Sequence, residues 1–214
     1  MFKKIFLVLV LALGLNAESL FVGVNAGVPI TTPKYGGDIS ARKDMFPKTG
    51  TGYNLGVNVG YIDDLGPNDG FRVYVDYNYS QSSGKRSSTL GNVKANIASQ
   101  MVALNLDYYY DFTELLGAYL GIGAGYVTYK PKYTMEIMGQ TMTFGDKQKG
   151  GFALPVNVGF LLHINDDHEF TLGAKIPLLA YKYNIEANPN NPMISSGSVK
   201  LRNYIVSTGY NYIF

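Results

Sequence analysis

Two histidines and one acidic run are the residues of this chain best equipped for acid–base or metal chemistry. His163 stands alone, and His168 lies within Asn165-Asp166-Asp167-His168-Glu169. Carboxylates clustered beside an imidazole suit a divalent cation or a general base. A solvated acidic turn has the same composition. No Gly-rich phosphate loop and no zinc-ligand spacing occurs, and the chain has no Cys. No cofactor and no nucleic-acid partner is implied.

Two further sets of charges call for an environment. Arg72, Asp76, Asp107 and Lys175 each sit inside an otherwise apolar or alternating stretch. Buried together, they would pair as a plug, or else line a constriction that selects ions. Lys85, Arg86, Lys200 and Arg202 belong to basic stretches whose chemistry suits phosphate groups.

The elements that position these residues are strands. Leu20, Val22, Val24, Ala26 and Val28 alternate with Phe21, Gly23, Asn25 and Gly27, and the same period of two recurs from Tyr53, Phe71, Val102, Ala118, Phe152 and Phe170. The last segment, Val199 to Phe214, puts Tyr204, Val206, Thr208, Tyr210, Tyr212 and Phe214 on one face and small or polar residues on the other. That makes eight strands. A greasy face opposite a face of Gly, Asn and Ser is the signature of lipid outside and a cramped lumen within. A soluble eight-stranded barrel has its apolar face inward, and residues this small could not give it a solvated exterior. The expected fold is all-β, an eight-stranded antiparallel transmembrane β-barrel of the outer-membrane type.

The start of the chain agrees. Met1-Phe2-Lys3-Lys4 is basic, Ile5 to Leu15 apolar, and Leu15-Asn16-Ala17 a plausible cleavage site. Residues 1–17 are expected to be a cleaved signal peptide and 18–214 the barrel. The connections around 63–70, 111–115 and 164–169 are short; those around 29–51, 81–97, 130–150 and 183–198 are long. Short periplasmic turns, four long extracellular loops and both termini periplasmic follow as expectations. The loop around 130–150 also reads as a hairpin extension.

Charge sorts by the same axis. Glu18, Asp63, Asp64, Asp69, Asp111, Glu114, Asp166, Asp167 and Glu169 fall at the turn end without any Lys or Arg, while the long connections and their rims are basic in balance. Lys85, Arg86, Lys200 and Arg202 are the expected lipopolysaccharide rim, Lys200 and Arg202 sharing the parity of the lipid-facing set. Both histidines fall at the periplasmic end, away from outer-leaflet lipid, so catalysis on that lipid lacks its base. The chain is expected to be no enzyme. Pro155 and Pro177 sit inside the sixth and seventh strands, each removing a ladder donor. Facing each other they would form a weak seam that admits a lipid tail, or mark a bulge that shapes the rim.

Val156-Asn157-Val158-Gly159-Phe160, His168-Glu169-Phe170, Gly173-Ala174-Lys175-Ile176-Pro177-Leu178 and the closing Gly209-Tyr210-Asn211-Tyr212-Ile213-Phe214 resemble the Helicobacter-type outer-membrane protein family. In size the chain is similar to the small OmpA/OmpX-type barrels. The resemblance implies an outer-membrane location, with Tyr210, Tyr212 and Phe214 as the signal for the insertion machinery. Three functions remain in play. The leading one is a non-enzymatic surface protein that contributes to envelope integrity, meets lipopolysaccharide at its rim, and offers its loops to a host or environmental ligand. The second is a small porin-like channel, favoured by Gly-rich lumen faces that leave space unfilled. The third is a lipid-modifying enzyme reached through the proline seam.

Overall fold

The computed structural model describes residues 20–88, 91–137, 140–145, 148–185 and 197–214; the expected signal peptide lies outside them. One sheet is built from β1 (Leu20–Gly37), β2 (Gly50–Asp64), β3 (Asp69–Ser88), β4 (Gly91–Asp111), β5 (Leu116–Ile137), β6 (Gln140–Gly145), β7 (Lys149–Ala153), β8 (Pro155–Asn165), β9 (His168–Pro177), β10 (Tyr181–Ile185) and β11 (Gly197–Ile213). All pairings are antiparallel, and β1 pairs with β11 from Phe21↔Ile213 to Gly37↔Gly197, which closes the sheet. At the turn end the ring is β1, β2, β3, β4, β5, β8, β9 and β11, the eight strands expected. The three short strands lie above it: β6 and β7 follow β8 up the flank of β5, and β10 follows β9 up β11. Closure leaves the ring no unpaired edge, which is what hydrocarbon demands of backbone polar groups.

The turns are as short as expected, with breaks only at 65–68, 112–115 and 166–167. The first three long connections are not loops for most of their described length, and of the fourth only 183–185 and 197–198 lie among the described residues. β1 continues past Val28 to Gly37, β3 and β4 pair as far as Ser88↔Gly91, and β5 folds back on β6 at Ile137↔Gln140. Stretches such as Gln81 to Ser88 look like loop in the sequence because they lack apolar alternation. A hairpin leaving the membrane needs no apolar face while its ladder continues to satisfy the backbone. Between β1 and β2 lies a 3₁₀ helix, Asp38–Met45, which begins after Gly37 at φ 71°, a conformation that favours glycine.

Parity is constant along each strand, but its chemistry inverts with height. Nearer the turns, Leu104 and Leu106 of β4 face out while Asn105 and Asp107 are buried inside; farther up, Lys94 faces out while Val93, Ala95 and Ile97 are buried. On β11, Val206 faces out opposite an interior Asn211, and higher up Lys200 faces out between interior Val199 and Leu201. The lower barrel is therefore a membrane barrel, and its extension packs like a soluble one. Two apolar clusters fill that extension. One joins Ile97, Val127, Tyr129, Tyr183, Val199 and Leu201. The other brings Ile39 of the 3₁₀ helix and Phe46 against Val93, Tyr133 and Met135. Phe46 stacks beside Tyr35 at 5.0 Å, and the Tyr35 hydroxyl donates to the Pro47 carbonyl at 3.0 Å, so the first connection caps the barrel as a lid. Burial pushes the Tyr35 hydroxyl pKa well up, so it remains a donor there.

Candidate functional site

Alternation on β3 sends Arg72, Tyr74, Asp76 and Asn78 into the lumen, and the closed ring brings partners from the far wall. Arg72 donates to Glu169 at 3.0 Å and to Asp107 at 3.4 Å, with its guanidinium 4.5 Å over the Tyr119 ring. Asp107 is wholly buried and also accepts from the Tyr74 hydroxyl and the Asn157 amide, both at 2.9 Å. Lys175 meets Asp76 at 2.9 Å and reaches the Asn157 and Asn105 side-chain oxygens at 2.8 and 3.2 Å. Asn211 donates to Glu169 at 2.7 Å. The four charges read from the sequence are thus brought together, in two ion pairs linked by Asn157. Glu169, assigned from sequence to the solvated turn, is instead buried inside as a main partner of Arg72. Its parity with Lys175 on β9 is the signal that would have placed it.

The Gly-rich faces do not leave the space that a channel was expected to use. A Cβ on Gly121 would collide with the Asp107 carboxylate, and one on Gly173 with the Tyr119 hydroxyl. These glycines are where large polar side chains from the adjacent strand or the next but one lie down. What remains among Tyr74, Asp76, Asn157 and Lys175 is room for a few water molecules. Ion pairs and amides fill the turn-end half of the lumen, and the apolar clusters fill the other.

At the turn end the candidate metal run comes apart. Asp166 and Asp167 are exposed, His168 Nδ1 lies 2.6 Å from the Tyr210 hydroxyl with its ring against Tyr210 and Tyr212, and Glu169 points inside. Consecutive strand residues face opposite sides, so the run cannot converge on one ion. Among the described residues no group of three such side chains does. His163 pairs with Asp111 at 2.9 Å, while the Tyr109 hydroxyl donates to Asp64. Tyr210, Tyr212 and Phe214 share the outer face, with Tyr210 5.3 Å from the Phe170 ring and the Tyr212 and Phe214 ring centres 4.9 Å apart. The Phe214 amide donates to the Leu20 carbonyl at 2.8 Å, so the last residue helps to close the seam.

The basic residues lie in two separate places. On β11, Lys200 faces out directly between Lys34 of β1 and Lys182 of β10. Thr32 and Arg202 lie one step below; Gly36, Ser198 and Asn184 lie one step above. No negative charge stands among those register neighbours, and among the described residues none of the four cations forms a salt bridge. Arg202 Nε is buried without a hydrogen-bond partner. On the other flank Lys85 and Lys94 are paired across β3 and β4. Arg86 turns away from them, its Nε donating to the Asp44 carbonyl of the lid at 3.1 Å. Lys34, Lys94 and Lys182 come from sequence-distant strands and are visible in the sequence only as loop charges.

A family model described as Helicobacter outer membrane protein matches residues 56–214. The chain belongs to that family. The match reaches well upstream of Val156, where the segments that carry the resemblance in the sequence begin. The Helicobacter outer membrane protein fold seen here is also that of solved structures with little sequence in common. OprG from Pseudomonas aeruginosa is 15% identical, with 93% of this chain and 98% of that chain covered at a TM-score of 0.55. The outer membrane protease OmpT from Escherichia coli is 9% identical, with the same coverage and TM-score. No curated protein matches the sequence. The protein is a bacterial outer-membrane β-barrel. Because a protease shares its fold, catalysis is a question for the side chains and not for the barrel.

Proposed function

We propose that this barrel is a non-catalytic surface protein that binds lipopolysaccharide phosphates at its rim and thereby contributes to envelope integrity. In this reading the termini and short turns are periplasmic, and the strand extensions stand outside the cell, where they meet a host or environmental ligand. The row Lys34, Lys200 and Lys182 carries the proposal. Like charges directly opposite on neighbouring strands are destabilising, and here two such pairs share one lysine with no carboxylate beside them in the register. The row stands just beyond the apolar band, at the height of lipid phosphate. An external anion would relieve the repulsion. Arg202, one step below and paired across with Thr32, adds a further positive charge beside the row. The filled lumen weighs against conduction, and the histidines at the turn end weigh against chemistry on surface lipid.

The test exploits a difference in sign. Lys200→Ser removes both like-charge contacts, so the refolded variant in zwitterionic detergent should be as stable as the parent, or more stable by up to about 1 kcal/mol. The same change should weaken lipopolysaccharide binding. With each basic residue contributing about 1 kcal/mol at an anionic lipid surface, Lys34→Ser/Lys182→Ser/Lys200→Ser should lose roughly 100-fold in affinity. Dephosphorylated lipopolysaccharide should not distinguish parent from variant. Equal binding of intact lipopolysaccharide by both would remove the proposal.

A further inference from the structure

The barrel wall is not equally tight all round. β8 and β9 pair continuously from Leu162↔Phe170 up to Pro155↔Pro177, where the two prolines face each other. Neither has an N–H to donate. Because Leu154 and Leu178 are a hydrogen-bonded pair, the missing donors would have faced β5 and β11, whose ladders with β8 and β9 end at Val156 and Lys175. One more bond, from the Leu178 amide to the Leu154 carbonyl at 3.0 Å, ends the β8–β9 seam. Above it β7 climbs the flank of β5 and β10 the flank of β11, and among the described residues no ladder joins β7 to β10. The register also slips there. Ile205 opposes Lys175, but Leu201 opposes Tyr181, so residues 176–180 bulge against the shorter stretch 202–204.

A cleft passes between these edges. Its mouth is formed by Phe152 and Leu179, which are exposed on the outer face, and its floor by Ser99 and Asn203, which lie inside. Outer and inner residues share one cavity only where the wall between them is open. Asn203 donates to the Ser80 and Ser99 hydroxyls at 3.4 Å each, and Lys175, which also lines the cleft, is paired with Asp76 at 2.9 Å, so the floor is polar and carries no unpaired charge; Val127 and Tyr129 make the wall apolar. Tyr181 of β10 stacks on Tyr129 of β5 at 5.2 Å and lies against Gly151 of β7, where a Cβ would sit 3.1 Å from the ring. These rings hold the cleft nearly shut, with room for about two water molecules. Pro155 is about nine residues above Ile164 at the turn end, the span of one membrane-crossing strand. The mouth therefore opens at the edge of the apolar band.

We propose that this cleft is a lateral binding site for a single acyl chain bearing a neutral polar head, admitted from the membrane between β7 and β10. The Tyr129–Tyr181 stack is its latch. The head reaches Asn203 and Ser99, and the chain lies along the apolar wall toward Phe152 and Leu179. This does not depend on the cationic rim.

The chain contains no Trp, so a single introduced one is a clean reporter. Met101 lines the cleft, Val102 faces lipid, and Phe21 is buried near the turn end. Met101→Trp, Val102→Trp and Phe21→Trp would be refolded into phosphatidylcholine vesicles, with folding checked by heat-modifiable migration, and titrated with 11-bromoundecanol. Quenching of Met101→Trp should saturate, Val102→Trp should follow membrane partitioning linearly, and Phe21→Trp should stay bright. Adding Pro155→Val and Pro177→Val restores one donor toward β5 and one toward β11, which tightens the wall around the cleft, and should weaken the saturable phase at least fivefold without touching the linear one. Asn203→Leu should weaken undecanol binding but not that of 11-bromoundecane. Met101→Trp quenched no more than Phe21→Trp, or a saturable phase indifferent to both the prolines and Asn203, would overturn the proposal.

Discussion

Replacing Arg72 by Met tests whether the lumen is held by its ion pairs or merely filled. Arg72 is almost fully buried between Asp107 and Glu169, which are themselves 0% and 2% exposed. Removing one member of such a set leaves its partners charged and buried, at a cost of about 3–5 kcal/mol. The value here should lie at the low end, because Asp107 keeps the Tyr74 and Asn157 donors and Glu169 keeps Asn211. We expect a loss of about 3 kcal/mol, roughly a hundredfold in the folding equilibrium. With a urea dependence of about 2 kcal/mol per molar, the midpoint in vesicles should fall by roughly 1.5 M. Circular dichroism and heat-modifiable migration report it. Arg72→Met/Asp107→Asn/Glu169→Gln removes the stranded charges and should recover at least half the loss, since neutral replacements of buried ion sets are often tolerated. A surface control, Lys85→Met, should stay within about 0.5 kcal/mol of the parent. An Arg72→Met variant as stable as that control, or a neutralised triple variant no better than the single one, would refute the ion-pair account.

Gly173→Leu should drive Tyr119 off Arg72 and cost about 1–3 kcal/mol by overpacking, read in the same urea titration, whereas Ser83→Leu on the exposed extension should cost far less. In planar bilayers the refolded parent should be electrically silent, and discrete steps that change with Lys175→Ala would restore the channel reading. Deleting Phe214 removes the aromatic partner of Tyr212 and the bond to Leu20, and should slow assembly into the outer membrane, measured as accumulation of heat-insensitive, unfolded protein in pulse-labelled cells.

The side each residue faces is legible in the sequence alone, because facing is a local property of an extended backbone with a period of two. That period places Arg72, Asp76, Asp107 and Lys175 inside and Tyr210, Tyr212 and Phe214 outside. It would place Glu169 inside too, did the acidic run at 166–169 not read as a turn. The facing of Pro155 and Pro177 also follows from the length of the hairpin between them. The extensions are hidden because the usual sign of a strand is apolar alternation, and hairpins above the membrane need none.

Partnership is another matter. Arg72 and Glu169 meet across the lumen from strands that are not neighbours, and Lys34, Lys182 and Lys200 line up across three strands. Those heights depend on the register of every ladder around the ring, and closure of β1 on β11 fixes them together. By itself the sequence therefore determined the barrel, its facing and which end carries the short turns. Only the tertiary structure decided that the lumen is plugged, that three lysines share one height, and that the wall parts above the prolines, because ring closure sets register and no local stretch encodes it.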